Sequence, residues 1–263
     1  MQGAVLGYCA QYNFEQVSTP SQVADINSGI NSSFLGNRTA IGSTLYFSAN
    51  DGSSGNELWK SDGTTTTRVS DIYSGSSGSY PYNLRAIGST LYFNADDGSS
   101  GRELWKSDGT TTTRVADISS GSNSSSPSNL TAIGSTLYFI ANDGSSGSEL
   151  WKSDGTTTTR VADIRSGSNS SSPRYLTAIG STLYFNANDG SSGSELWILN
   201  TQPADSITPT FVSAATSSNG LTVILTYNEA LSATAAATGD FVVTVGGSAA
   251  TINSVATSGS TVV

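Results

Sequence analysis

The chain has 263 residues and not one histidine. That absence removes imidazole chemistry: no Ser-His or Cys-His nucleophile, no histidine metal site and no histidine acid–base step. There is a single cysteine, Cys9, so the chain cannot close an internal disulfide. Without a histidine partner that thiol is also a poor nucleophile. Charge is scarce, at 12% of residues with a net of −9. An acidic chain of this kind cannot neutralise a row of phosphates, which argues against a nucleic-acid partner. No apolar run approaches the ~20 residues that a membrane-spanning helix needs.

What is abundant is serine, threonine, glycine and asparagine. A polar composition of that kind often signals disorder, but here aromatic and branched residues recur at fixed positions. Glu57-Leu58-Trp59-Lys60-Ser61-Asp62-Gly63-Thr64 returns letter for letter at Glu103–Thr110 and at Glu149–Thr156. It begins a fourth time at Glu195-Leu196-Trp197. A Leu-Tyr-Phe precedes each copy, starting at Leu45, Leu91, Leu137 and Leu183, always 46 residues apart. A fixed period of this length marks a repeat architecture, so the fold must be read from the unit.

One unit contains four short apolar segments, for example Leu84–Ile87, Thr90–Ala95, Glu103–Lys106 and Thr113–Ile118. Gly88-Ser89 suits a two-residue type II′ hairpin turn, and Asp108-Gly109 is a strong hairpin signal. The unit therefore reads as an antiparallel four-stranded meander. Adjacent apolar side chains point to opposite faces of a strand, so both faces of each sheet must be covered. Stacking the sheets on copies of themselves achieves this, as blades do in a β-propeller. The polar connector Ser119–Ser128 reaches roughly 30 Å when extended, ample for the ~15 Å from an outer to the next inner strand. The expected fold is thus all-β, a four-bladed propeller of 46-residue repeats over residues 23–199. The fourth-strand motif Val23-Ala24-Asp25-Ile26 comes before the other strands, while the last unit stops at Trp197 without its own. Strand 23–26 is therefore expected to complete the last blade, with residues 1–22 outside the clear repeat.

A two-residue Asp62-Gly63 turn would set Glu57 opposite Arg68, Glu103 opposite Arg114 and Glu149 opposite Arg160, as cross-strand ion pairs. Trp59, Trp105, Trp151 and Trp197 sit beside leucines in strands, which favours core between blades over a sugar-stacking role. Asp51, Asp97, Asp143 and Asp189 each open an Asp-Gly-Ser-Ser-Gly loop. Such oxygen-rich loops offer ligands that Ca²⁺ takes, although the spacing of an EF-hand loop is missing. The alternative is a plain Asp-Gly turn.

After a linker at 200–206, residues 207–263 lose the aromatic motifs. Thr210–Val212, Leu221–Tyr227, Phe241–Val245 and Ala250–Val255 read as strands of a partial Ig-like β-sandwich. The sequence stops on what reads as the start of a strand, so a longer protein is expected.

Taken together, Leu-Tyr-Phe-x-Ala-Asn-Asp-Gly, Glu-Leu-Trp-Lys-Ser-Asp-Gly-Thr and Val-Ala-Asp-Ile resemble the ELWxxDGT repeat of large bacterial secreted proteins. The tail, with Leu225–Leu231 and Gly239–Val245, is similar to Ig-like repeats of cyanobacterial giant cell-surface proteins. The resemblance implies an extracellular or cell-surface setting and brings no catalytic residues with it. Two functions follow as expectations. One is a non-catalytic scaffold or adhesive platform for a surface protein or glycan. The other is a propeller enzyme, lyase- or quinoprotein-like, with its site in a central funnel. The near identity of the units favours the first, because an enzyme site needs unlike groups around one substrate.

Overall fold

Every Leu-Tyr-Phe and every Glu-Leu-Trp lies within a strand. The computed structural model describes residues 19–201, 211–216, 222–227, 243–245, 248–250, 257–258 and 261–262, and no helix occurs among them. In the first unit β1 (Gly36–Ile41), β2 (Thr44–Asn50), β3 (Asn56–Ser61) and β4 (Thr66–Ser70) pair in sequence order as one antiparallel sheet. The second unit repeats it with β5 (Tyr82–Ile87), β6 (Thr90–Asp96), β7 (Arg102–Ser107) and β8 (Thr112–Ala116). The third does so with β9 (Ser128–Ile133), β10 (Thr136–Asn142), β11 (Ser148–Ser153) and β12 (Thr158–Arg160). The fourth holds β13 (Arg174–Ile179), β14 (Thr182–Asn188) and β15 (Ser194–Asn200), three strands among the described residues.

The first hairpin of each unit follows the sequence. Ile41 pairs with Thr44 across Gly42-Ser43, and Gly42, Gly88, Gly134 and Gly180 have φ of +57° or +58°. A type II′ turn requires that sign at its first central residue.

The Asp-Gly hairpin departs from expectation. Its loop has four residues, Asp62–Thr65, with Ser61 paired to Thr66. The Asp62 side chain is the cause. Its Oδ1 accepts the N–H groups of Thr64 (2.8 Å) and Thr65 (2.7 Å), while Asp62 N–H bonds to Thr65 O at 3.3 Å. An Asx side chain that satisfies two backbone donors outcompetes the tighter turn. The register moves accordingly: Arg68 lies opposite Trp59, not Glu57, and Arg114 and Arg160 lie opposite Trp105 and Trp151. The expected Glu–Arg pairs are replaced by other partners, described below.

Between units, one face of each sheet packs on the opposite face of the next. Tyr46, Leu58 and Ile72 of the first unit close over Leu91, Phe93 and Ala95 of the second, with Trp105 packed against the cluster. Tyr92 and Leu104 meet Leu137, Phe139, Ala141 and Trp151 in the same way. Tyr138 and Leu150 then meet Leu183, Phe185, Ala187 and Trp197. The joint is made three times, and it leaves two faces over.

On the fourth unit, Leu196 is 71% exposed, whereas its counterparts Leu58, Leu104 and Leu150 are at 0–1%. On the first unit, Leu45 is 39% exposed, whereas Leu91, Leu137 and Leu183 are at 0%. The expected completion of the last sheet by Val23–Ile26 is not what is observed. Those residues pair with no sheet and line a hollow on the first unit with Leu45 and Phe47.

The chain divides into two compact units after Thr201, within the expected linker. In the second, β16 (Phe211–Thr216), β17 (Val223–Tyr227), β21 (Thr261–Val262) and β20 (Thr257–Ser258) form one sheet in that order. The strands β18 (Val243–Val245) and β19 (Ser248–Ala250) pair separately. The predicted segments Phe241–Val245 and Ala250–Val255 are described only at 243–245 and 250. Cys9, the rest of residues 1–18 and linker residues 202–206 lie outside the described residues.

Candidate functional site

The recurring glutamate of Glu-Leu-Trp is fully buried. Glu57, Glu103 and Glu149 are each 0% exposed, and each carboxylate holds the connector that leaves its own sheet. Glu57 accepts the N–H groups of Ile72 (3.0 Å), Tyr73 (3.4 Å) and Ser79 (2.9 Å), and the Ser79 hydroxyl at 2.6 Å. Glu103 does the same with Ile118, Ser119 and Ser125. Glu149 takes Ile164 N–H and both donors of Ser171. Burial pushes the Glu57 and Glu103 carboxyls up from their ordinary range, against the opposing pull of those donors. A buried carboxylate needs several hydrogen bonds to be tolerated, and here donors from chain positions up to 22 residues away supply them. Sequence reading missed this role. The signal was the serine two places before Pro81, Pro127 and Pro173, which keeps the 46-residue spacing.

Released from the glutamates, the arginines turn to aspartates. Arg68 Nη1 lies 3.7 Å from Asp51 Oδ2, and its Nη2 lies 3.9 Å from Asp71 Oδ2. Arg114 is placed between Asp97 and Asp117, and Arg160 between Asp143 and Asp163. Half-exposed pairs at these distances contribute little each.

The Asp-Gly-Ser-Ser-Gly loop is held largely by its own aspartate. Asp51 Oδ1 accepts from Ser53 N–H (2.9 Å), Ser54 N–H (2.7 Å) and the Ser53 hydroxyl (2.9 Å), and Oδ2 takes the Ser54 hydroxyl at 3.2 Å. Burial would raise this carboxyl, but the Ser53 and Ser54 donors outweigh it and hold it at about 2. Asp97 and Asp143 are lowered by the same balance. In Asp189 the backbone donors of Ser192 and Ser191 lead, again to about 2. These lone pairs, which a cation would use, already face N–H and O–H groups. No cluster of three or more acidic, cysteine or histidine side chains suited to a metal occurs among the described residues.

Trp105, Trp151 and Trp197 are half-buried against the preceding unit. Trp59 occupies the same place on the first unit, where no sheet precedes it among the described residues. A hollow of about 940 Å³ opens at that end. Its walls include Val23–Ile26, Phe34, Leu35, Arg38, Leu45 and Phe47, with Asp62 at its margin.

No family model matches the chain, and no curated protein matches it either. Among solved structures it is similar to a puromycin hydrolase, at 14% identity and a TM-score of 0.46, over 74% of this chain and 33% of that one. A prolyl endopeptidase matches at 15% identity and TM-score 0.37, over 74% and 30%. The GH74 xyloglucanase from Xanthomonas campestris matches at 13% and 0.37, over 74% and 35%. The chain thus spans about a third of the length of these solved chains.

Proposed function

We propose that the repeats are blades of a β-propeller that serves as a non-catalytic scaffold or binding platform on a bacterial surface or outside the cell. The observation that supports this reading is the engagement of the recurring acids. Glu57, Glu103 and Glu149 anchor connectors, Asp62, Asp108 and Asp154 build turns, and Asp51, Asp97 and Asp143 knit loops and face arginines. A general acid or base must come within hydrogen-bond reach of a substrate proton, and carboxylate oxygens that already face several donors of the fold are poorly placed for that. The tail is proposed as a partial Ig-like module of the same surface protein. A surface protein or a glycan is the partner class that fits the reading.

The test is a screen of purified chain against glycans and surface proteins, with and without Ca²⁺, alongside hydrolase and lyase substrates. Saturable binding without turnover is the expected result. Turnover that disappears on replacing one carboxylate would instead establish the propeller-enzyme alternative. The loops are proposed to hold without a cation, so the melting temperature should be the same in Ca²⁺ and in chelator. A rise with Ca²⁺ that Asp51→Asn reduces would reverse that statement.

A further inference from the structure

We propose that the chain associates head to tail with a second copy, the segment Val23–Ser33 of one copy completing the last sheet of the other. The joint between consecutive units is made three times within the chain, and the two leftover faces are its two halves. The fourth unit presents Leu196, 71% exposed, and the first presents Leu45, 39% exposed. Their counterparts meet one another at every internal joint and are buried there.

The polar half of the joint is also waiting. Counting back one repeat, Ile26 and Ser33 occupy the positions of Ile72 and Ser79, the residues that donate to Glu57. Ser33 is already placed as its counterparts are: Asn50 N–H bonds to Ser33 O at 2.8 Å, as Asp96 does to Ser79 O and Asn142 to Ser125 O. Glu195, the glutamate these donors match, is exposed at the far end of the row. So one end has the carboxylate without its connector, and the other has the connector without its carboxylate.

The unit-to-unit joint is of the heterologous kind, which continues to a further copy unless rotation brings the ends of one chain together. In this structure Leu196 and Leu45 are both exposed, and a second copy offers each the face that covers its counterparts at the internal joints. Val23 would then pair with Leu196, because its counterpart Val161 donates its N–H to Leu150 O at 2.8 Å. The joint departs from the internal ones at several places, three of which bear on the pairing. Arg38 stands where Leu84 does, Ile198 where Lys60 does and Gln22 where Arg68 does. This inference does not depend on which ligand the platform binds.

Sedimentation velocity of the full chain tests it. The native protein should show a mass of two or more chains. Leu196→Asp spoils one end and Leu45→Asp the other, and each alone should be a monomer. An equimolar mixture retains one intact joint and should give a one-to-one dimer and nothing larger. Val23→Pro, at a residue 55% exposed in the single chain, removes the pairing N–H without touching a folded sheet and should also yield monomers. A native protein that is monomeric at every concentration overturns the proposal. If its Val23→Pro variant then melts earlier, the segment closes the ring within one chain. An oligomer that survives Leu196→Asp, Leu45→Asp and Val23→Pro would overturn it as well.

Discussion

At the scale of single residues, the buried glutamates and the loop aspartates are opposite solutions to keeping a carboxyl in a polar but crowded fold. Glu103 is fully enclosed, so Glu103→Ala strands the donors of Ile118 and Ser125. Each buried donor left without an acceptor costs about 1–3 kcal/mol, and guanidinium unfolding should register a loss of several kcal/mol. Glu195→Ala, at the exposed counterpart, should leave the unfolding of the single chain unchanged.

The two kinds of carboxyl also give stability two opposite slopes with pH. Asp51 and Asp189, at about 2, lie below their ordinary 3.8. Their contribution is therefore full above that ordinary value and is lost as pH falls toward 2. Glu57 and Glu103 lie above their ordinary 4.5. Theirs is full below it and fades as pH rises through the raised value. Thermal melts should fall steeply below about pH 4 and decline gently on the alkaline side of the maximum. Glu103→Gln should flatten the gentle limb, and Asp51→Asn should shrink the steep one. Melts that do not respond in these limbs would show that other groups govern the profile.

At the scale of elements, the meander was legible because each strand carries its own pattern and each turn its own glycine. Thr90-Leu91-Tyr92-Phe93 and Gly88-Ser89 leave one reading, and the observed strands match the predicted segments closely. The second hairpin was not legible from the Asp-Gly pair alone, because turn length is decided by what the aspartate side chain binds two and three residues ahead. One wrong loop length displaced the register and invented the Glu–Arg pairs. The true partners of the glutamates lie in connectors, which repeat but show no alternation of apolar and polar residues, and only the fixed serine would have pointed to them.

Two substitutions probe this scale. Gly101 has φ of +64°, and a Cβ there would lie 2.5 Å from the backbone oxygen of Asn123. Gly88 has φ of +58° with nothing within 4 Å. Gly88→Ala meets only the left-handed backbone cost of about 1–2 kcal/mol, whereas Gly101→Ala must also push the connector away and should destabilise more. For the tryptophans, Trp105→Ala removes an inter-unit contact and should cost about 3–5 kcal/mol. Trp59→Ala, on a face with no preceding sheet among the described residues, should cost less. Equal losses at the two positions would mean that tryptophan packs within its own sheet more than across the joint.

At the scale of the whole molecule, the near identity of the units was plain from the 46-residue period, and it implied stacked sheets. What the period cannot specify is where stacking stops, because identical joints define a step and not a count. That is decided at the ends, by the few residues that break the pattern, Arg38, Ile198 and Gln22 among them. Stability should accordingly be close to a sum over units and joints. A variant blocked at either end should lose about as much in unfolding free energy of the assembly as one internal joint contributes. A loss far smaller than the Trp105→Ala loss would mark the outer joint as weaker in kind.

The latch between each glutamate and its connector has a mechanical consequence. A meander pulled from its two ends peels hairpin by hairpin, which offers little resistance, but the connector cannot leave until its carboxylate lets go. Force should therefore build until a latch breaks and then release a whole repeat at once. With about 3.3–3.6 Å per extended residue, a repeat of 46 residues lengthens the chain by roughly 150–165 Å. Single-molecule extension should show a staircase of that spacing, and Glu103→Ala should erase one step. A chain built this way should lengthen under tension unit by unit, giving up one repeat for each latch that opens.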